Sequence, residues 1–113
     1  KRGELIFQPY QIWNVAGAKI GFLGYTDPLV PIRQSPVYSK GIIYTKPEEN
    51  LAHYIDVLKN QENCSYIIMI AHLGLSQQIA LANMPECEGV NYILGESIFI
   101  LSTLAFIFYC SCK

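Results

Sequence analysis

The chain has 113 residues, of which 51% are hydrophobic and 15% charged, with a formal net charge of −1. That composition builds the core of one small domain and excludes an intrinsically disordered segment. Eight basic residues against nine acidic ones, with no basic patch or stripe, also exclude a partner held through its phosphate backbone, so no nucleic acid is expected.

Lys1-Arg2-Gly3-Glu4 carries a basic pair without an apolar stretch behind it and does not read as a secretory signal. Gln11–Val15 is strand-like, Ala16-Gly17-Ala18 makes a tight turn, and Lys19–Tyr25 is the first core strand. Gly21 and Gly24 thin the side-chain wall of that strand and invite close approach. Thr26–Lys40 holds Pro28, Pro31 and Pro36 with little periodicity and reads as a surface loop, long enough to be functional.

Thr45-Lys46-Pro47-Glu48 is a helix start, with Thr45 as the cap and Glu48 three residues on. Leu51, Tyr54, Ile55 and Leu58 recur at i, i+3, i+4 and i+7, so a helix Pro47–Lys59 should lay that face on a sheet. Asn60–Asn63 ends it. Tyr66–Ala71 is unbroken and apolar, as a strand buried on both faces of a parallel sheet reads, and Ile68 and Ile70 should be among the least exposed residues. Ser76 caps a short helix running to about Asn83, stopped before Pro85, and Val90–Leu94 is the next strand.

Strands alternating with helices give an α/β class, a mostly parallel sheet joined by right-handed crossovers. The composition changes at Ile98–Cys110, a nearly unrelieved apolar run that is short beside the roughly 20 residues of a membrane span. It reads as a buried strand or helix, or as an aggregation-prone extension. Cys64, Cys87, Cys110 and Cys112 match neither a disulfide framework nor a pair of zinc knuckles, and free thiols are expected.

Chemistry shows at one place, Ala71-His72-Leu73-Gly74. There a buried strand ends and the next helix has not begun, and ligands of open α/β sheets gather beyond the carboxyl ends of strands. A neutral imidazole ligates first-row metals, and Gly74 lets the backbone turn close to a ligand. His53 falls outside the apolar stripe of its helix and is expected in solvent. Asp27 before Pro28 reads as a turn former, and Glu48, Glu49 and Asp56 belong to a solvated helix face and its start.

Three segments, Val15–Tyr25, Ile67–Leu75 and Gly89–Gly95, resemble in order and spacing the second half of the metallophosphoesterase (calcineurin-like) domain of 5′-nucleotidases and 2′,3′-cyclic-nucleotide phosphodiesterases. The resemblance implies that residues 1–95 are the C-terminal part of such a domain, one portion of a four-layer sandwich, and that His72 is a metal ligand. It further implies two divalent ions, of Mn, Zn, Fe or Co, that clamp and activate a water for attack on a nucleotide or other phosphoester. Intact members of the family are often periplasmic or extracellular.

The cage of that family draws on five blocks: Asp-x-His, Gly-Asp, Gly-Asn-His, the isolated His, and a final Gly-x-(Thr)-His. Only the isolated His, His72, stands here; three blocks would precede Lys1, and where the last should begin the chain reads Gly95-Glu96-Ser97-Ile98. Residues 96–113 are therefore expected to be an apolar tail foreign to the domain. The chain alone is expected to hold no metal and to be inactive. The other readings are a non-catalytic α/β interaction module, through Thr26–Lys40 or the tail, and a membrane-attached remnant, although a membrane is not the expected partner.

Overall fold

The computed structural model describes residues 4–95 and, as backbone, the strand at 106–109. Strand β1 (Tyr10–Val15) turns back on β2 (Ala18–Thr26) through the two residues Ala16 and Gly17. Both have positive φ, 49° and 81°, which is the backbone of a hairpin turn whose twist suits antiparallel strands. After β2 come two single-turn helices, α1 (Val30–Arg33) and α2 (Pro36–Ser39), within a segment that the sequence presents as plain loop. Each starts with proline in its first turn, where a missing N–H costs nothing.

Helix α3 (Pro47–Asp56) runs on as a π-helical turn, Val57–Gln61, and Asn63 leaves it with φ of 53°. Its cap lies one residue later than Thr45. Proline prefers the first helical position and pushes its predecessor to extended backbone, so Lys46 (φ −84°, ψ 160°) is the N-cap. The Glu49 carboxylate then accepts the Lys46 N–H at 2.9 Å.

Strand β3 (Tyr66–His72), helix α4 (Leu75–Ala82), a 3₁₀ turn (Pro85–Cys87) and β4 (Tyr92–Gly95) follow. Gly74, not Ser76, is the N-cap of α4. Asn91 joins β4 to β3 before the ladder begins: its N–H donates to the Ile67 carbonyl at 2.9 Å and its side-chain oxygen accepts the Ile67 N–H at 2.8 Å.

The strand order is β1-β2-β3-β4-β5, with β5 (Phe106–Tyr109) antiparallel to β4. β2, β3 and β4 run parallel, and β1 and β5 are antiparallel on either side. The fold is thus α/β with a mixed sheet whose centre is parallel. The part of Ile98–Cys110 outside β5 lies outside the described residues.

The two parallel steps, β2 to β3 and β3 to β4, go the same way across the sheet. Right-handed crossovers must then put both connecting helices on one face. That face holds the core: Leu23, Ile67, Met69 and Ile93 pack with Leu51, Ile55 and Leu58 of the α3 segment, Leu81 of α4, Cys87 and Val90. Leu58 reaches the place a side chain at Gly21 would occupy, since a Cβ there would sit 2.9 Å from its Cδ2. Each fully buried aliphatic side chain contributes about 1.5–3 kcal/mol.

The opposite face corrects the expectation for β3. Ile67 and Met69 are 2% and 0% exposed, whereas Ile70 is 54% exposed and Ile68 half-buried. An apolar run signals a strand buried on both sides, but among the described residues only one side is covered. Trp13, Val15, Tyr66 and Ile70 lie exposed on the other, with the Trp13 and Phe22 rings 4.9 Å apart.

Candidate functional site at the carboxyl edge of the sheet

The parallel ladder brings the strand ends into line. Thr26 pairs with His72, and Ala71 pairs with Gly95, so Asp27, His72 and Gly95 stand at one edge of the sheet. Side chains alternate along β3, which places His72 on the same face as Ile68 and Ile70, away from the helices. His72 is exposed, and no hydrogen bond to its ring is found among the described residues. His53 is exposed on α3, with its ring beside Tyr54.

Asp27 does more than make a turn. It is 5% exposed; one carboxylate oxygen accepts the Leu29 N–H at 2.8 Å, and the other pairs with Arg33 Nη1 at 2.5 Å. The same Arg33 nitrogen reaches Gln77 Oε1 at 3.5 Å, and that oxygen accepts the Gly74 N–H at 3.3 Å. The loop after β2 is in this way tied to the first turn of α4. Tyr25, in register with Ala71, has its phenol pushed up to about 12, first by burial and then by the charges of Glu48 and Asp27.

Behind the edge, Gln78 is 2% exposed; its Nε2 donates to the Leu73 carbonyl at 2.7 Å, and its buried Oε1 has no partner among the described residues. Sequence reasoning missed Arg33, Gln77 and Gln78. A signal for the last existed: Gln78 shares a helix face with Leu81 and Ala82, and a polar residue in an apolar stripe needs a partner.

The residues present do not by themselves fit a pair of metal ions. Among the described residues no three His, Cys, Asp or Glu side chains come together, and the nearest edge carboxylate, Asp27, is already bound to Arg33 and Leu29. What the edge offers is one open imidazole. Of the cysteines, Cys64 is a free thiol, raised from its ordinary range mainly by burial, Cys87 is packed in the core, and Cys110 and Cys112 lie outside the described residues. Among the described residues no helix is long and apolar enough to cross a membrane.

Comparison with known proteins adds a relationship. The 5′-nucleotidase of Vibrio cholerae is 33% identical over 72 residues, which is 64% of this chain and 13% of that protein. The chain is similar to one section of the 5′-nucleotidases. The Vibrio parahaemolyticus 5′-nucleotidase is 30% identical over 74 residues, and that of Diplobatis ommata is 28% identical over 89. The chain spans 13–15% of the length of these relatives. No protein-family model matches it.

Proposed function

We propose that this chain is a section of a metal-dependent phosphoester hydrolase of the 5′-nucleotidase type, in which His72 is one metal ligand. The reading assigns it to a metallophosphoesterase domain that uses two divalent ions of Mn, Zn, Fe or Co on a nucleotide or other phosphoester. The observation that carries it is the placement of His72: an exposed imidazole, without a hydrogen bond among the described residues, at the carboxyl edge of parallel strands in a chain similar to 5′-nucleotidases. On this reading the remaining ligands come from outside the described residues, and the chain alone is catalytically inert. One imidazole leaves a divalent ion almost fully hydrated, with no second ion to share the bridging water.

Titration of the whole chain with Mn²⁺, followed by NMR of the two imidazoles, tests the ligand assignment. Weak, fast-exchanging broadening of His72 ahead of His53 is the expected result, since one imidazole retains no ion, and a His72 that stays sharp overturns it. Purified chain should release no phosphate from nucleoside monophosphates with Mn²⁺ present. Turnover that disappears in His72→Ala would overturn the inertness. The second reading is a non-catalytic interaction module, favoured by Ile32, Val37 and Tyr38, which stand exposed together in the α1–α2 segment. A chain whose two histidines respond alike to Mn²⁺ is the outcome that reading requires.

A further inference from the structure

Gln78 occupies a place where a polar side chain is a poor choice for packing alone. It lies on the inward stripe of α4, and methionine would fill a similar space with no donor or acceptor to satisfy. The contacts of its amide give the residue a different purpose.

The Nε2 group donates at 2.7 Å to the carbonyl of Leu73, the residue directly after His72. A carbonyl just past the end of a strand has left the ladder, so a side-chain donor takes over from the missing neighbour. The same amide packs closely on Gly95, where a Cβ would fall 2.0 Å from Nε2, 2.2 Å from Cδ and 2.5 Å from Oε1. Gly95 is the ladder partner of Ala71, the residue directly before His72. One buried side chain therefore touches backbone on both sides of His72: it bonds the Leu73 carbonyl directly and packs on Gly95, the ladder partner of Ala71. A side chain at position 95 would have to displace the end of Gln78 from this place. Oε1 is buried and has no partner among the described residues, a cost that a residue placed to fill volume would not carry.

We infer that Gln78 is a positioning residue for His72: its amide clamps Leu73 to the Gly95 end of β4 and so sets where the imidazole leaves the sheet. The inference rests on the functional reading of His72 only for its purpose; the clamp itself is a property of the chain and is measured separately.

The test uses the whole chain and Gln78→Met, with backbone ¹⁵N relaxation and thermal unfolding. In the variant, order parameters at His72, Leu73 and Gly74 should fall from about 0.85 toward about 0.6. Those at Tyr66 and Tyr92, at the other ends of the same strands, should stay as they were, and the unfolding midpoint should hold or rise. Unchanged order at residues 72–74 overturns the inference, as does a lowered midpoint with order lost evenly, which describes a core filler. If Gln78→Met does not fold, the parent decides: a scalar coupling from the Gln78 side-chain ¹⁵N to the Leu73 carbonyl ¹³C is required, and its absence overturns the clamp. Mn²⁺ broadening of His72 separates the two claims. A clamp that passes while the parent His72 ignores Mn²⁺ removes the metal reading and leaves the positioning role of Gln78. A parent that responds should lose several-fold of that response in Gln78→Met, with His53 unchanged.

Discussion

On one face of the sheet Leu23, Ile67, Met69 and Ile93 lie under α3 and α4; on the other Trp13, Val15, Tyr66 and Ile70 stand open. The side chains of the two faces are alike in kind. What separates them is connectivity: two right-handed crossovers stepping the same way must deposit both helices on the same side. His72, on the open face, and Gln78, on the covered one, lie at the same edge and are linked through the Leu73 backbone. A parallel sheet is ordinarily covered on both sides, so the apolar face beside His72 is the part of the sheet that no helix among the described residues covers.

The largest test of the contrast is a pair of truncations in consecutive residues of β3. Met69→Ala, on the covered face, should cost about 2–5 kcal/mol in urea unfolding. Ile70→Ala, on the open face, should change stability by no more than about 0.5 kcal/mol. Equal losses would mean that the open face is covered in solution. Next in size is Gly95→Ala, which pushes a methyl group into the Gln78 amide and should cost about 1–3 kcal/mol. Combined with Gln78→Ala it should cost less than the sum of the two changes, because the clash is then gone.

The covered face should also show itself in alkaline titration. Tyr25 is raised to about 12 in the folded chain, against about 10 in an unfolded one. The fold therefore favours the protonated phenol, and its contribution is complete below about pH 10 and is lost as the pH rises toward 12. Stability measured against pH should fall less steeply across that window in Tyr25→Phe than in the parent. The smallest effect is expected at Gly74. A Cβ there meets only Gln77 Oε1, at 3.6 Å, and φ is −65°, so Gly74→Ala should stay within about 0.5 kcal/mol.

Local rules in the sequence determined much of this protein. The hairpin at Ala16-Gly17, the helix face of Leu51, Tyr54, Ile55 and Leu58, the strands at Lys19–Tyr25 and Tyr66–Ala71, and the place of His72 at a strand end all follow from period, turn chemistry and breakers within a few residues. The N-cap of α3 falls at Lys46 and not at Thr45 because Pro47 takes the first helical position, which is still a local rule. Three matters needed the tertiary structure. Alternation along β3 names two sets of residues, but only the sense of the crossovers selects Ile67 and Met69 for the core over Ile68 and Ile70. Asp27 and Gln77 are brought to one guanidinium by the approach of the β2 loop to α4, across 44 residues between Arg33 and Gln77. Gln78 against Gly95 joins a helix to a strand that follows it, and whether a buried amide finds a partner depends on which backbone the fold brings within 3 Å of it.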